Sequence, residues 1–154
     1  MPSQTKIYDD LWSSLAKRVF NSPAGIKCLS ADEQTYFAVR YFQSQHYNGG
    51  FEQVFHNGTG DYYREIVAAL PVVGAKETCG LLQLAARLAF KGKKPPTDSN
   101  DRFSILSSHP TSRWQDDLDL LDGAVYNCGE NLTERSYRFA SEKALVPAIE
   151  TKVD

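Results

Sequence analysis

The chain has 154 residues, of which 42% are hydrophobic and 23% are charged, and its formal net charge is −2. These values are ordinary for globular proteins, and a chain of this length can bury a sizeable core, so we predict one domain over residues 1–154. The near-neutral charge does not favour direct nucleic acid binding, which usually requires a strongly basic surface.

Targeting and redox signals are weak throughout the sequence. The N-terminal segment has no basic region followed by an apolar stretch, which argues against a signal peptide. The most apolar stretch, residues 66–88, contains charged side chains and does not predict a membrane helix. The three cysteines lie in no CxxC or metal-binding spacing and are expected to be free thiols. We therefore predict a cytoplasmic protein with no membrane association.

Helical periodicity dominates the first half of the chain. Apolar residues from Ile7 to Phe20 predict a first helix that ends near Ser22 and Pro23. Ser30 and Glu33 have the spacing of a capping box, which predicts that a second helix begins there and continues to the glycines at 49 and 50. A short helix through residues 51–55 and a third full helix opened by Asp61 are expected to follow.

The second half of the chain continues the helical pattern. Helices are predicted over residues 75–90 and from Leu132 toward Ile149. A further helix is predicted to run to about Val125, and Ser112 with Gln115 is predicted to cap its start. Two adjacent prolines exclude a helix after residue 91, so residues 92–101 are predicted to form an exposed loop. The predicted fold is all-α, with about six to seven helices. The expected core residues are Leu11, Leu15, Tyr36, Val39, Phe42, Phe51, Phe55, Ile66, Leu70, Leu82, Leu118 and Leu121.

A double glycine within the stretch NGGFEQVFHNGTG, residues 48–60, predicts a tight corner between two helical segments. We expect Gly49 or Gly50 to have a positive φ, Phe51 to point inward, and Asn48 and Asn57 to bond the freed backbone groups. Whether this corner is structural or functional is open from the sequence. The candidate residues of this surface are Asn48, Gly49, Gly50, Phe51, Gln53, Phe55, Asn57 and Gly74.

Charged residues cluster in two places. The segment from Asp116 to Asp122 is rich in carboxylates, and its leucines follow helical rather than calcium-loop spacing, which favours an acidic helix face. Such a face is usually only solvated, and its functional alternative is docking of a basic partner. The residues of this candidate acidic docking face are Asp116, Asp117, Asp119 and Asp122. The cations Arg87, Lys91, Lys93 and Lys94 form a basic patch that is interpreted as a solvated helix end and loop.

No sequence motif indicates catalysis. The sequence has no nucleophile elbow, phosphate-binding P-loop or dinucleotide fingerprint, and its histidines lack zinc-ligand spacing. We therefore expect no catalytic residues, no metal site and no cofactor, and predict that the protein is not an enzyme.

The region of about residues 29–126 resembles a bacterial domain family, long labelled as of unknown function, that is named after a protein mimicking DNA. The resemblance implies an all-helical fold, and it implies that the family's named member presents carboxylates in place of DNA phosphates to a DNA-binding protein. The motifs that carry it are Asn48-Gly49-Gly50-Phe51 with Gln53, Phe55 and Asn57, then Val73-Gly74-Ala75-Lys76, and then Leu121-Asp122.

Three functions are open at this point. The first is a small protein-binding domain that docks a protein partner as a regulator or inhibitor; a homodimer is a further alternative. The second is a DNA mimic that occupies the DNA-binding surface of a transcription factor. The third is a small-ligand binder or enzyme that uses the glycine corner. Because 19 acids face 17 bases, the long-range field is expected to be weak, which favours the first function.

Overall fold

A computed structural model describes residues 3–148, which contain seven α-helices and no strand. The helices are α1 (Gln4–Asn21), α2 (Ala31–His56), α3 (Tyr63–Val72), α4 (Lys76–Ala89), α5 (Ser99–Ser107), α6 (Arg113–Asn127) and α7 (Leu132–Glu142). Short 3-10 turns, Gly25–Cys28 and Gly58–Tyr62, precede α2 and α3. The all-α prediction is confirmed. No helix in this part of the chain combines the length and apolar character needed to cross a bilayer.

Helix α2 is the centre of the fold and packs against α1, α3, α5, α6 and α7, whereas α4 packs against α3 and α6. The predicted capping box at the start of α2 is present: Ser30 Oγ accepts the Glu33 N–H, and Glu33 Oε1 accepts the Ser30 N–H. Of the twelve core residues predicted from helical spacing, ten are buried. The other two, Leu11 and Leu121, are partly buried and pack against the same core.

The region after α4 differs from the prediction of an exposed loop over residues 92–101. Helix α5 already begins at Ser99, because the Asp98 carboxylate accepts the Asp101 N–H at 3.0 Å and caps it. Pro95 is buried. Arg102, near the start of α5, is fully buried, although an arginine beside such a loop would be expected at the surface.

Arg102 joins four parts of the chain through its guanidinium group. Its Nε donates to the Phe55 carbonyl at 2.8 Å, and one terminal nitrogen donates to the carbonyls of Pro96 and Thr97. The other terminal nitrogen donates to the Asn57 carbonyl and, at 2.7 Å, to the carboxylate of Asp61. The prediction that Asp61 opens α3 is therefore wrong. Asp61 lies in the 3-10 turn before α3 and pairs with Arg102.

Two further helix ends differ from the predictions. Ser112 precedes α6, but its φ and ψ of −82° and 7° are near helical rather than extended, and its hydroxyl makes no capping hydrogen bond. Helix α7 ends at Glu142 instead of continuing toward Ile149, which lies outside the described residues. It ends because Ala144 has a φ of 55° and the Leu145 N–H returns to the Ala140 carbonyl at 2.9 Å.

Candidate functional site

The glycine corner is a sharp kink inside α2. Gly49 has φ and ψ of −162° and 18°, and Gly50 has 68° and −165°, so neither residue is helical. The φ and ψ angles of Gly50 lie in a region that essentially only glycine adopts. The predicted positive φ is therefore confirmed at Gly50. A Cβ atom at Gly50 would also lie 2.2 Å from a carboxylate oxygen of Asp122, and one at Gly49 would lie 2.7 Å from Gln53 Cβ.

The carboxylate of Asp122 holds the corner from α6. Its Oδ1 accepts the backbone N–H of Phe51, the first residue after the kink, at 2.9 Å. The same oxygen lies 3.0 Å from Nε2 of His46, one turn before the kink. Because an ionised carboxylate can only accept hydrogen bonds, the hydrogen of the neutral imidazole lies on Nε2. Asp122 thus connects the two halves of α2 to α6.

The imidazole of His46 is only 4% exposed and lies in an aromatic environment. Its ring centroid is 4.7 Å from that of Phe51, and 5.5 Å from those of Phe42 and Tyr126. Burial lowers the pKa of His46, although the charge and hydrogen bond of Asp122 act in the opposite direction. The neutral imidazole is therefore favoured, and it acts as a donor that orients the carboxylate.

The polar residues after the kink form a separate small network. The side-chain oxygen of Gln45 accepts hydrogen bonds from the amides of Gln53, at 3.0 Å, and Asn57, at 2.8 Å. Phe51 and Phe55 are fully buried, as predicted for both. The prediction that Asn48 and Asn57 bond the freed backbone is wrong, because the Asp122 carboxylate takes the Phe51 N–H and the exposed Asn48 side chain bonds nothing within residues 3–148.

Gly74, the remaining predicted motif residue, lies at the end of α3 and not at the corner. Its φ is 84°, and the Ala75 N–H returns to the Leu70 carbonyl at 2.8 Å, which is the hydrogen bond that ends a helix in a Schellman motif. The Gly74 carbonyl then accepts a hydrogen bond from Arg135 on α7. This glycine therefore shapes the turn between α3 and α4.

The four predicted acidic residues on α6 divide into two groups. Asp116 and Asp119 are exposed and Asp117 is half-buried, whereas Asp122 faces the corner. Within residues 3–148, no lysine or arginine lies within 4 Å of any of the four carboxylates. Leu120, in the middle of this segment, is 76% exposed. We call Asp116, Asp117, Asp119 and Leu120 the α6 face.

Sequence reasoning missed the His46–Asp122 pair and the role of Glu130. A usable signal for Asp122 was its position between Leu118 and Val125, both buried at helical spacing, which places it on the inner side of α6. Glu130 lies between α6 and α7 and accepts the backbone N–H groups of Glu77 and Thr78 at the start of α4, at 3.2 and 2.6 Å. The spacing predicts that Asp122 faces inward but not which groups it binds, and nothing local in the sequence predicts the contacts of Glu130.

No group of three or more histidine, cysteine or carboxylate side chains suited to a metal ion occurs in the described part of the chain. The imidazole of His56 lies 3.9 Å from the carboxylate of Glu52. Two cavities lie beside the corner. The one lined by His46, Tyr47 and Tyr126 has a volume of about 150 Å³, and the one lined by Tyr47, Asn48 and Tyr137 has a volume of about 330 Å³.

Comparisons with known proteins identify the family. Searches of curated proteins and of solved structures found no significant match. A family model described as DMP19-like protein matches residues 27–143, which is about three quarters of the chain and includes the corner, Gly74 and α6. The chain therefore belongs to the DMP19-like family, the family of DNA mimic protein 19.

Proposed function

We propose that this protein binds a protein partner through the α6 face. The observation that carries the proposal is the exposed Leu120 surrounded by Asp116, Asp117 and Asp119, whose carboxylates have no lysine or arginine partner within the described residues. Elsewhere on the surface, Asp9, Asp10 and Glu134 are each paired with a cation of the chain itself, and the carboxylates that are also unpaired within residues 3–148, such as those of Glu65, Asp101 and Glu142, lie on three different helices.

The chemistry of this face defines the surface that would complement it. An apolar side chain at the centre of a patch gains binding energy when it is desolvated, and charges at the rim select the partner and raise the association rate. The complementary surface is therefore basic with an apolar depression at its centre. Membership of the DMP19-like family supports a protein partner, since a mimic acts by occupying the surface of another protein.

The experiment requires a purified partner, found by retention on the immobilised protein from a lysate of the native cell and identified by mass spectrometry. Its affinity is then measured for the wild type and for the triple variant Asp116→Asn, Asp117→Asn and Asp119→Asn, which leaves the corner's Asp122 intact. The matched control is Glu65→Gln, Asp101→Asn and Glu142→Gln, which removes three carboxylates that are likewise unpaired within residues 3–148.

We expect the α6 triple variant to weaken binding at least about tenfold, equivalent to about 1.4 kcal/mol, and the control to change it less than about twofold. Leu120→Ala is expected to weaken binding about fivefold or more, as a central interface residue does. Equal losses in the two triple variants would show that only net charge matters and would refute the assignment to α6.

DNA mimicry is the second candidate, and the family and the carboxylates of α6 favour it. Asp116 and Asp119 are one helical turn apart, so their Cβ atoms are separated by about 5–6 Å. A mimic competes with DNA, and its affinity falls steeply with salt because charge dominates the contact. Displacement of the partner's DNA together with a steep salt dependence would select mimicry, whereas modest salt dependence and a dominant effect of Leu120→Ala would select shape-based docking.

A further inference from the structure

A groove separate from the corner and from α6 lies between α3, α4 and the loop that follows α4. Two adjoining cavities, of about 350 and 190 Å³, share the lining residues Tyr63, Gln83, Lys94 and Pro95. The larger cavity alone lies within the range of about 300–1,000 Å³ that is usual for pockets that bind small ligands. We call this cavity pair the basic groove.

Four cations line the basic groove: Arg64, Arg87, Lys93 and Lys94. Within residues 3–148, none of them forms an ion pair, and none of their side chains donates a hydrogen bond. The only carboxylate in the lining, that of Asp61, is occupied by Arg102 at 2.7 Å. The groove therefore concentrates positive charge without an internal counterion, in a chain whose net charge is −2.

The shape of the groove is held by contacts beneath the surface. Arg102 fixes the carbonyls of Pro96 and Thr97 at 3.0 and 2.8 Å, and the Gly92 N–H returns to the Arg87 carbonyl at 2.8 Å. These bonds hold both ends of the loop that carries Lys93 and Lys94, although the lysine side chains themselves are exposed. A site on such a held loop loses less conformational freedom when a ligand binds.

The groove also supplies neutral donors. Gln83 contributes an amide, and the half-buried Tyr63 contributes a hydroxyl. Burial raises the pKa of Tyr63, although the nearby charge of Arg87 opposes this, so the hydroxyl keeps its proton at neutral pH. Guanidinium groups bind phosphate oxygens through paired hydrogen bonds, and ammonium groups add charge.

We propose that the basic groove binds a small phosphorylated molecule that carries two or more negative charges on its phosphate groups. Four unpaired cations around a concave site match a compact polyanion better than an extended one. A single-stranded nucleic acid usually requires several aromatic platforms along a basic track, and here Tyr63 is the only aromatic residue in the lining. This proposal is independent of partner binding through α6.

The test uses inorganic pyrophosphate as the probe and isothermal titration calorimetry of the full chain at low and at physiological ionic strength. We expect saturable binding with one pyrophosphate per chain. The variant Arg64→Gln/Lys94→Gln should weaken it at least about tenfold, because two charge-assisted contacts are lost. The matched control Lys17→Gln/Lys27→Gln, which removes two exposed cations outside the groove, should change it less than about twofold.

A second variant tests hydrogen bonding by the groove without altering its charge or its shape. Tyr63→Phe keeps the ring and removes the hydroxyl, and should weaken pyrophosphate binding about threefold or more if that hydroxyl donates to the ligand. Three outcomes would overturn the proposal: no saturable binding, equal losses in the groove and control variants, or tighter binding of a single-stranded oligonucleotide than of pyrophosphate at physiological salt. The last result would assign the groove to nucleic acid instead.

Discussion

The carboxylate of Asp122 accepts the backbone N–H of Phe51, although the two residues are 71 positions apart in the chain. This contact closes the kink in α2 from a neighbouring helix, and the same oxygen bonds His46 on the other side of the kink. The corner is therefore an assembly of two helices, and its stability depends on residues in both.

Gly50→Ala should lower the free energy of unfolding by about 3 kcal/mol or more. An alanine would be strained at a φ of 68° and a ψ of −165°, and its Cβ would displace the Asp122 carboxylate. Chemical denaturation measures the effect. The matched control is Gly123→Ala, where a Cβ meets nothing within 4 Å and a helical alanine should be neutral or stabilising. Similar stabilities for the two variants would contradict this account.

Asp122→Ala should destabilise the fold by about 1–3 kcal/mol, because the Phe51 N–H and the buried imidazole of His46 both lose their acceptor. Asp119→Ala removes the same group from an exposed position of the same helix and should change stability by about 0.5 kcal/mol or less. Urea denaturation of both variants tests the difference. If Asp119→Ala proved as costly, the loss would come from removing a carboxylate from α6 in general and not from the corner.

Stability should fall as the pH decreases through the ordinary His46 range near 6.5. Burial lowers the pKa of the folded state's imidazole, so the unfolded chain binds more protons in this window and acidification favours unfolding. Denaturation midpoints at about pH 7.5 and 5.5 measure this loss, and His46→Gln should reduce it. The pKa values of Glu33 and Glu130 are also lowered, but these carboxylates change stability only below about pH 4.5, outside the range between the two measurements. An unchanged pH dependence in His46→Gln would disprove the assignment.

Arg102→Met should cost about 3–5 kcal/mol, because Asp61 and four backbone carbonyls lose a buried charged donor. Arg113→Met provides the control, since that arginine is exposed and its side chain forms no hydrogen bond within residues 3–148. Thermal and chemical unfolding should separate the two variants clearly. A small effect of Arg102→Met would mean that the loop carbonyls are satisfied by water instead.

The sequence was sufficient for features that depend on neighbours in the chain. The capping box of Ser30 and Glu33 and the positive φ of Gly50 follow from local backbone geometry, and the buried helix faces follow from periodicity. Proximity in the sequence also groups Arg87, Lys93 and Lys94 of the basic groove, but it does not add Arg64 from α3, and it does not find the residues that complete the corner. His46 meets Asp122 across 76 positions, and Arg102 meets Phe55 across 47, and no local pattern specifies such pairs.

The capping of α4 by Glu130 has a consequence for the order in which the chain can be completed. During synthesis, the first N–H groups of α4 are made about 50 residues before the carboxylate of Glu130 that accepts them. The Phe51 N–H is made 71 residues before its acceptor, Asp122. Contacts of such long sequence separation form late, because the intervening chain must first be closed into a loop. A nascent chain that ends before residue 120 therefore contains the sequence of α2 but neither acceptor carboxylate, and the corner and the start of α4 can reach their native hydrogen bonding only after α6 and the turn that follows it have been synthesised.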